Sequence, residues 1–362
     1  MSDLILRCAE CGSDYEVALS RIDCDCGGVL DLLFETPAYR SDTIGREAGL
    51  ARFGELIPVD TSLLRRVSLG LSTTPLLAMG GPLFVKCDFI SPSGSFKDRG
   101  AQVLTALALS LDAQRVVLDS SGNAGAAMAA HCARIGLACS VVVPSDAPTA
   151  KLHQSRLYGA RVIAVDGGRA AATATARSMV DRAGTFYASH VENPFFLEGT
   201  KTWAFEVVEQ LGDAPGEVVM SVGNGSLFLG AYRGFRYLYE RGRTSRIPRM
   251  TAVQVRGWAP LSGDVEHGDA SPVADGIAVT SPRRLAQISS ILQVTGGAVR
   301  VVGSEEIARG TRELATRGIW VEPTSGAAWA SILDAGFDPG VGPVAVSLGG
   351  AGFKSSAVPL TS

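Results

Sequence analysis

A lysine at the start of a predicted helix is the most reactive side chain that the sequence offers. Residues 91–100 read Ser-Pro-Ser-Gly-Ser-Phe-Lys-Asp-Arg-Gly, in which Pro92 and Gly94 predict a turn. Ser95 is a good N-cap for the following helix, so Lys97 falls in the first turn, at the positive end of the helix dipole. Because that field disfavours another positive charge, it favours the neutral, nucleophilic amine. The position suits a lysine that forms a Schiff base, although a solvated surface lysine would look the same.

A second loop directly follows a predicted strand and opens a helix. It consists of small and amide residues: Ser120, Ser121, Gly122, Asn123 and Ala124. Small side chains allow a flat ring to approach the backbone closely. The Asn123 amide offers a donor and acceptors, which are enough to hold an oxygen in the plane of such a ring. The alternative is a tight strand-to-helix turn that binds no ligand.

A third loop has the composition of an anion site. It again lies between a predicted strand and a predicted helix, and its residues are Gly223, Asn224, Gly225 and Ser226. Consecutive backbone N–H groups and a hydroxyl at a helix N-terminus form a cradle for phosphate. The loop is neither a P-loop nor a dinucleotide-binding loop, because the spacings of those motifs are absent.

The elements that must position these loops alternate between strand and helix. Apolar runs rich in Val and Ile predict strands at 83–86, 115–119, 140–143 and 161–165, and Ala-rich stretches predict helices at 95–111, 124–135, 149–158 and 170–182. Such continuous apolar runs are typical of parallel strands covered on both faces. The sequence therefore predicts an α/β fold, in which ligands lie in the loops at the carboxyl ends of the strands.

Composition and charge exclude several classes of protein. The chain has 362 residues, of which 46% are hydrophobic and 19% are charged, and its net charge is -3. That charge provides no basic surface for nucleic acid and no polybasic patch for a membrane. No apolar run reaches the roughly 18 residues of a membrane span, and the first residues lack the pattern of a secretory signal. We therefore expect a cytoplasmic protein.

Four of the seven cysteines lie within the first 26 residues, and these are Cys8, Cys11, Cys24 and Cys26. A clustered quartet in a cytosolic chain favours a metal over disulfides. Four thiolates can surround zinc, and the two pairs predict the knuckles of a small zinc ribbon with a structural metal. The second pair is Cys-x-Cys, whereas the usual spacing is Cys-x2-Cys, so a ribbon-shaped segment that holds no metal is the alternative.

Together, a nucleophilic lysine, a loop that clamps a ring and a phosphate cradle are what a pyridoxal phosphate site must supply. The chain resembles the threonine-synthase-like members of the tryptophan synthase β (fold type II) family of pyridoxal-phosphate enzymes. The resemblance covers nearly the whole chain. Besides the cysteine pairs, it lies in residues 72–76, 94–100, 121–124, 197–202, 222–225, 274–277 and 321–326.

The resemblance implies an architecture. Fold type II enzymes have two domains that contain parallel sheets, with the cofactor in the cleft, and here a small N-terminal segment precedes them. The implied boundaries are 1–34 for the ribbon-like segment, 35–88 with 184–362 for the large domain, and 89–183 for the small domain. A homodimer is also implied.

The resemblance further implies roles for particular residues. Lys97 binds the cofactor, Asn123 contacts its ring hydroxyl, and residues 223–226 hold its phosphate. The partner is a small amino-acid substrate, and the residues expected to contact it are Ser95, Ser120, Ser121, Gly122, Ala124, Ser189 and His190.

The chain departs from the family pattern at two ligand positions. Many threonine synthases carry an arginine near Phe196 that helps to bind the substrate phosphate. Their Thr-Gly-x-Gly-Leu-Lys run, whose threonine faces the pyridine nitrogen, corresponds here to residues 347–354, with Gly349 at the threonine position. Either Ser347, two residues earlier, replaces that hydroxyl or the nitrogen lacks it.

Three functions are consistent with the sequence. The first is a lyase of threonine synthase type, which converts O-phosphohomoserine and water to threonine and phosphate. The second is β-elimination or β-replacement on serine, threonine or a substrate like O-phosphoserine, which Phe196 favours because it has no charge for a γ-phosphate. The third is a regulator that binds the cofactor without catalysis, and the presence of Lys97 argues against it.

Overall fold

A computed structural model describes most of the chain, namely residues 4–19, 21–37, 49–180, 184–265 and 273–355. By its internal contacts the chain divides into two compact units. The first unit comprises Met1–Thr73 and Lys97–Thr200, and the second comprises Thr74–Phe96 and Lys201–Ser362. The domain boundaries derived from the resemblance place residues 35–73, 89–96 and 184–200 differently, and they stay a prediction.

The first unit begins with a small antiparallel sheet. Its strands are β1 (Ile5–Cys8), β2 (Asp14–Glu16) and β3 (Leu30–Leu33), in the order β2-β1-β3. A 3₁₀ helix at Leu50–Leu56 and helix α1 (Thr61–Arg66) follow. The Asp60 carboxylate caps α1 by accepting a hydrogen bond from the backbone N–H of Ser62, at 2.7 Å.

A parallel sheet forms the centre of the first unit. Its strands, in the order β8-β7-β6-β9, are β6 (Arg115–Leu118), β7 (Ala138–Pro144), β8 (Arg161–Val165) and β9 (Thr185–Tyr187). The helices are α2 (Lys97–Ser110), α3 (Asn123–Arg134), α4 (Thr149–Leu157) and α5 (Gly168–Ser178). The apolar face of α5, through Ala172 and Ala176, packs on Val117 and Val142 of the sheet. Helix α6 (Phe195–Leu211) then leads from the first unit into the second.

The second unit contains a larger, mixed sheet. Its strands, in the order β12-β11-β10-β13-β5-β4, are β4 (Leu76–Gly80), β5 (Leu83–Cys87), β10 (Glu217–Ser221), β11 (Arg249–Val255), β12 (Val299–Val302) and β13 (Val344–Leu348). All pairs are parallel except β4–β5, so the edge strand β4 is the antiparallel one.

Four helices accompany this sheet, namely α7 (Ser226–Glu240), α8 (Leu285–Thr295), α9 (Ser304–Thr316) and α10 (Pro323–Ala335). Short 3₁₀ helices lie at Asp88–Ile90, Asp275–Ile277, Pro339–Val341 and Gly352–Lys354. The core between the sheet and α10 contains Trp329, Val219 and Val346, all nearly inaccessible to solvent. In the part of the chain that the structure describes, no helix is both long and apolar enough to cross a membrane.

The predicted α/β fold with parallel sheets is confirmed, and the predicted strands and helices of the first unit lie within a few residues of the observed ones. One local prediction is wrong. Helix α2 begins at Lys97, so Ser95 lies two residues before the helix and is not its N-cap. The Ser95 hydroxyl has no hydrogen-bond partner among the described residues, so it caps no helix.

Candidate functional site

Lys97 is the first residue of α2, and its ammonium lies over an aromatic ring. The Lys97 Nζ atom is 5.4 Å from the centroid of the Phe196 ring, within the range of a cation–π interaction. Phe196 is fully buried, and it approaches α2 at Gly100, where a Cβ atom would lie 2.4 Å from the ring. His190 contacts the same ring edge-on, with 6.0 Å between ring centroids. Lys97 and His190 therefore both contact the Phe196 ring.

His190 is held in its neutral form. Its pKa lies well below the ordinary 6.5, first because burial disfavours the charged imidazolium and then because Lys97 and Arg169 add positive potential. Arg169 is exposed and lies in the first turn of α5. A neutral imidazole in the positive potential of two cations is an environment that favours a bound anion.

The first turn of α2 is anchored from within the first unit. Asp98, the neighbour of Lys97, and His131 of α3 are both fully buried, and the His131 Nε2 atom is 3.4 Å from the Asp98 Oδ1 atom. The other ring nitrogen, Nδ1, lies 2.9 Å from the carbonyl oxygen of Val67. Since a carbonyl oxygen can only accept, Nδ1 carries a proton and donates it there. His131 thus lies against Asp98 at the start of α2 and donates to the carbonyl oxygen of Val67, just after α1.

The loop with Asn123 has the predicted place between β6 and α3. Gly122 precedes α3 as its N-cap residue, and Asn123 is the first residue of the helix. Ser120 is buried, whereas Ser121, Gly122 and Asn123 are partly exposed and Ala124 is buried. Helices α2 and α3 pack against each other, so Lys97 and Asn123 each begin one of two packed helices.

A tight turn, residues 189–193, presents His190. The Ser189 hydroxyl accepts hydrogen bonds from the backbone N–H groups of Val191 and Glu192, at 3.4 and 3.2 Å. The Ser189 carbonyl accepts another from Asn193, at 3.1 Å. The Ser189 side chain therefore shapes the turn itself, so its predicted substrate contact stays a prediction.

The segment before this turn is fixed by Asp119, which follows β6. One carboxylate oxygen accepts from the Tyr187 hydroxyl at 2.6 Å and the other from the Thr173 hydroxyl at 2.5 Å. Burial, and then the negative charge of Asp119, raise the pKa of Tyr187, so its phenol remains a donor. Asp119 therefore ties strand β9 to helix α5.

The phosphate cradle predicted from the sequence lies in the second unit, where β10 ends and α7 begins. Gly225 is the N-cap of α7 and has φ of 75°, which favours glycine, and Ser226 is the first helical residue. A Cβ atom at Gly225 would lie 2.5 Å from the Ile288 side chain, so the space also requires glycine. Gly223 packs against Ile277, where its Cβ atom would lie 3.0 Å away. Backbone donors at the start of a 15-residue helix fit a phosphate group.

Ser347 lies near the end of β13, the strand that pairs with β10. It is buried, and the carboxyl ends of both strands point to the same edge of the sheet. The glycines after β13 are held by backbone bonds. Phe96 donates to the carbonyl of Gly349 at 2.8 Å, and Gly350 donates to the Ser325 hydroxyl at 2.9 Å.

The Ser95 hydroxyl, like that of Ser91, is a buried polar atom of the second unit with no hydrogen-bond partner among the described residues. Ser95 is 0% exposed and forms an isolated bridge with Gly350. No described residue makes a hydrogen bond to its hydroxyl. Buried hydroxyls nearly always have a partner, so this one fits a ligand group that accepts or donates there.

Lys86, another buried lysine, is unsuited to hold a cofactor. Its ammonium donates to Glu206 at 2.8 Å, to the carbonyl of Thr74 at 2.5 Å and to Gln210 at 2.9 Å. Lys86 and Glu206 form an ion pair with almost no exposure to solvent. All three protons of the ammonium are used, so Lys86 has a structural role.

The four N-terminal cysteines converge as predicted. The ligand atoms of Cys8, Cys11, Cys24 and Cys26 all lie within 4.8 Å of one another. The sulfur atoms of Cys8 and Cys26 are 3.6 Å apart, and those of Cys11 and Cys24 are 3.4 Å apart. Four sulfurs around zinc at about 2.3 Å would be separated by roughly 3.8 Å, so the cluster fits this metal.

The predicted site residues divide between the two units. The first contains Lys97, Ser120, Ser121, Gly122, Asn123, Ala124, Ser189 and His190, and the second contains Ser95, Gly223, Asn224, Gly225, Ser226 and Ser347. The residues predicted from the sequence do not include Arg169 or Asp119. Asp119 directly follows a predicted strand, which was a usable signal, whereas nothing around Arg169 distinguishes it from a solvated helix residue.

Comparisons with known proteins found similar sequences and structures. The family model described as pyridoxal-phosphate dependent enzyme matches residues 67–348. A threonine synthase of Methanocaldococcus jannaschii is 31% identical over 354 residues, which cover 91% of this chain and 87% of that protein. A threonine synthase of Methanosarcina acetivorans is 30% identical over 352 residues, which cover 90% and 85%. The crystal structure of a pyridoxal 5'-phosphate-dependent aspartate racemase has the same fold, with a TM-score of 0.67 at 24% identity, and the match covers 84% of this chain and 99% of that one.

Proposed function

Because the chain belongs to the family of pyridoxal-phosphate-dependent enzymes and is a threonine-synthase-like member of it, we propose that it converts O-phosphohomoserine and water to threonine and phosphate. The proposal rests most directly on Lys97. This lysine begins α2 and lies over Phe196 beside a neutral His190. The amine is thereby positioned next to groups that suit an anionic substrate.

In this proposal, each loop keeps the role that the resemblance implies. Lys97 attaches the cofactor, Asn123 contacts its ring hydroxyl, and the loop of Gly223, Asn224, Gly225 and Ser226 holds its phosphate. Ser347 supplies the hydroxyl that faces the pyridine nitrogen. The orphan hydroxyl of buried Ser95 and the small residues of the 120–124 loop contact the amino-acid part of the substrate.

The chemistry divides between cofactor and protein. When bound, pyridoxal phosphate supplies an electron sink that stabilises negative charge on the substrate carbon next to the amine. The Lys97 amine takes the proton from that carbon and returns it. Asp98 lies beside His131 in the helix turn that carries this amine. A proton also leaves the β carbon as the phosphate departs from the γ carbon. Water then adds its hydroxyl to the β carbon, and protons return to the α and γ carbons, which gives threonine.

Recognition of a phosphate by the first unit has a physical basis without an arginine at position 196. Arg169 and Lys97 are the cations whose potential reaches His190. Neutral His190 can donate a hydrogen bond to a phosphate oxygen, and Arg169 can supply the charge. We propose that Arg169 takes over the task of the arginine that many threonine synthases carry near Phe196.

A second candidate function follows from Phe196 itself. Its ring is buried, apolar and adjacent to Lys97, and it offers no charge to a γ-phosphate. This favours β-elimination or β-replacement on serine, threonine or a substrate like O-phosphoserine. In that case Arg169→Met would leave the kinetics with serine or threonine unchanged.

A substrate screen separates the two candidates. Holoenzyme is incubated with O-phosphohomoserine, O-phosphoserine, serine or threonine, while phosphate, threonine and keto acids are all measured. We expect equal amounts of phosphate and threonine from O-phosphohomoserine, with little keto acid. Keto acid from serine, threonine or O-phosphoserine, without threonine synthesis from O-phosphohomoserine, would replace the first proposal by the second.

The role of Arg169 has its own test. Arg169→Met should raise KM for O-phosphohomoserine by about tenfold or more, since a charge-assisted bond contributes about 1.5–3 kcal/mol. Arg156→Met, which removes an exposed arginine from α4 of the same unit, is the matched control and should leave KM unchanged. Equal KM values for both variants would contradict the assignment.

A further inference from the structure

One arginine joins two parts of the first unit that are far apart in sequence. Arg177, near the end of α5, donates through Nη1 to the Asp23 carboxylate at 2.8 Å and through Nη2 to the Glu192 carboxylate at 2.5 Å. Burial alone would lower the pKa of Arg177, but the bond to Asp23 and the charge of Glu192 outweigh it and raise the pKa. The guanidinium is thus a permanently charged bridge between two carboxylates.

Glu192 gives this bridge a connection to the candidate site. It lies in the 189–193 turn, two residues after His190, and its side chain is 9% exposed. Its backbone N–H donates to the Ser189 hydroxyl within the turn. Because the turn is short, a displacement of Glu192 also moves the backbone of His190.

Asp23 gives the bridge its other connection. It immediately precedes Cys24, one of the four clustered cysteines. Its neighbour Ile22 packs against the core formed by α5 and the parallel sheet. The cysteine-bearing segment is therefore docked on the same helix that supports the turn.

From these contacts we infer that Arg177 is a positioning residue, which holds His190 in place and makes that position depend on the docked cysteine segment. The inference rests on the proposed function only for the task of His190 toward a substrate. The mechanical connection from Asp23 through Arg177 to Glu192 stands on the two ion pairs alone. In this arrangement the N-terminal segment helps to set the position of His190 in the candidate site.

Hydrogen exchange of the holoenzyme, followed by mass spectrometry of peptides that cover residues 186–196, measures the mobility of the turn. We expect Arg177→Met to speed exchange in this segment by about threefold or more, because residues in one ion-pair network are energetically coupled. Asp23→Asn should also speed exchange of residues 186–196 in the wild-type background. In the Arg177→Met background it should have no effect, because the arginine that connects Asp23 to Glu192 is absent. Arg156→Met, on α4, should leave the segment as in wild type.

Arg177→Met removes both ion pairs and could impair folding. Asp23→Asn is the milder variant, because it preserves the ion pair between Arg177 and Glu192. If residues 186–196 exchange as slowly in Arg177→Met as in wild type, the inference is overturned. It is also overturned if Asp23→Asn changes their exchange rate equally in the wild-type and the Arg177→Met backgrounds. The exchange measurement needs no substrate, so it stands whether or not the enzyme makes threonine. If threonine synthesis is also found, Arg177→Met and Glu192→Gln should raise KM for O-phosphohomoserine more than they lower kcat.

Discussion

Phe196 determines how two chemically important side chains of the first unit lie. Its ring faces the ammonium of Lys97 on one side and the edge of the His190 imidazole on another. An arginine in its place would lack this aromatic surface and would add a third cation beside His190. With phenylalanine there, we propose that the charge for an anionic group comes from Arg169, whose positive potential helps to lower the pKa of His190.

The neutral state of His190 predicts a dependence of stability on pH. Its folded-state pKa is depressed below the value of about 6.5 in the unfolded chain. Below that pH the unfolded chain therefore binds a proton that the folded chain does not. The stability that neutral His190 contributes is complete above about pH 6.5 and is lost as the pH falls below it.

Urea unfolding checks this prediction with His190→Asn, which cannot titrate. Between about pH 7.5 and about pH 5.5, wild type should lose about 1 kcal/mol more unfolding free energy than the variant. Equal losses in the two proteins would show that the imidazole titrates normally in the folded state.

Gly225 tests the phosphate cradle at the level of one residue. Gly225→Asp would place a carboxylate against the proposed phosphate, whereas Gly225→Asn has nearly the same shape, a similar tolerance of positive φ and the same contact with Ile288, without a charge. We expect Gly225→Asp to bind pyridoxal phosphate at least about tenfold more weakly than Gly225→Asn, measured by titration of the visible absorbance. Identical affinities would remove the phosphate from this loop.

In both units, predicted site residues lie at the N-termini of helices. Lys97 begins α2, Asn123 begins α3 and Ser226 begins α7, and each of these helices follows a loop of small residues. In the second unit, β10 and β13 are neighbours, so the 223–226 loop and Ser347 lie at the same edge of one sheet. Buried ion pairs then hold the elements together away from the chemistry.

The pair formed by Lys86 on β5 and Glu206 on α6 tests this structural role. Lys86→Met leaves the Glu206 charge buried without its ammonium partner, so urea unfolding should show a loss of about 3–5 kcal/mol. The double variant Lys86→Met/Glu206→Met removes both charges and should lose distinctly less. A double variant as unstable as the single one would show that packing, and not the unpaired charge, sets the cost.

Much of this fold was predictable from the sequence, because its strands are continuous Val and Ile runs and its helices are Ala-rich. The loops at residues 120–124 and 223–226 were predictable too, since small residues directly after a strand mark a tight turn into a helix. The Lys86–Glu206 pair and the Arg177 bridge were not predictable, because their partners are 120 and 154 residues away in sequence. The Ser95 prediction failed because cap preference alone does not fix where a helix starts.

At the scale of the whole molecule, the two units contain different predicted site residues. The first contains Lys97, Asn123 and the 189–193 turn, and the second contains the 223–226 loop, Ser347 and Ser95. The cysteine segment belongs to the first unit, in which it docks on α5 through Asp23 and Ile22. A homodimer stays a prediction from the resemblance.

The cysteine cluster predicts a structural zinc. Four cysteine ligands leave no open coordination position, so loss of the metal should lower stability before it affects the chemistry of Lys97. Elemental analysis of protein purified without chelator should give about one zinc per chain, against less than about a tenth if the cluster is metal-free. Cys24→Ser should lose the metal, whereas Cys139→Ser, which removes a buried cysteine outside the cluster, should retain it.

The most direct test of the account is to locate the lysine that binds the cofactor. Borohydride reduction of the holoenzyme fixes pyridoxal phosphate on its lysine, and trypsin then fails to cleave there. We predict one modified peptide, residues 87–99, with the added mass on Lys97, and no such peptide from Lys97→Ala. A modification on Lys86 or Lys201, or cofactor still fixed in Lys97→Ala, would contradict the central claim.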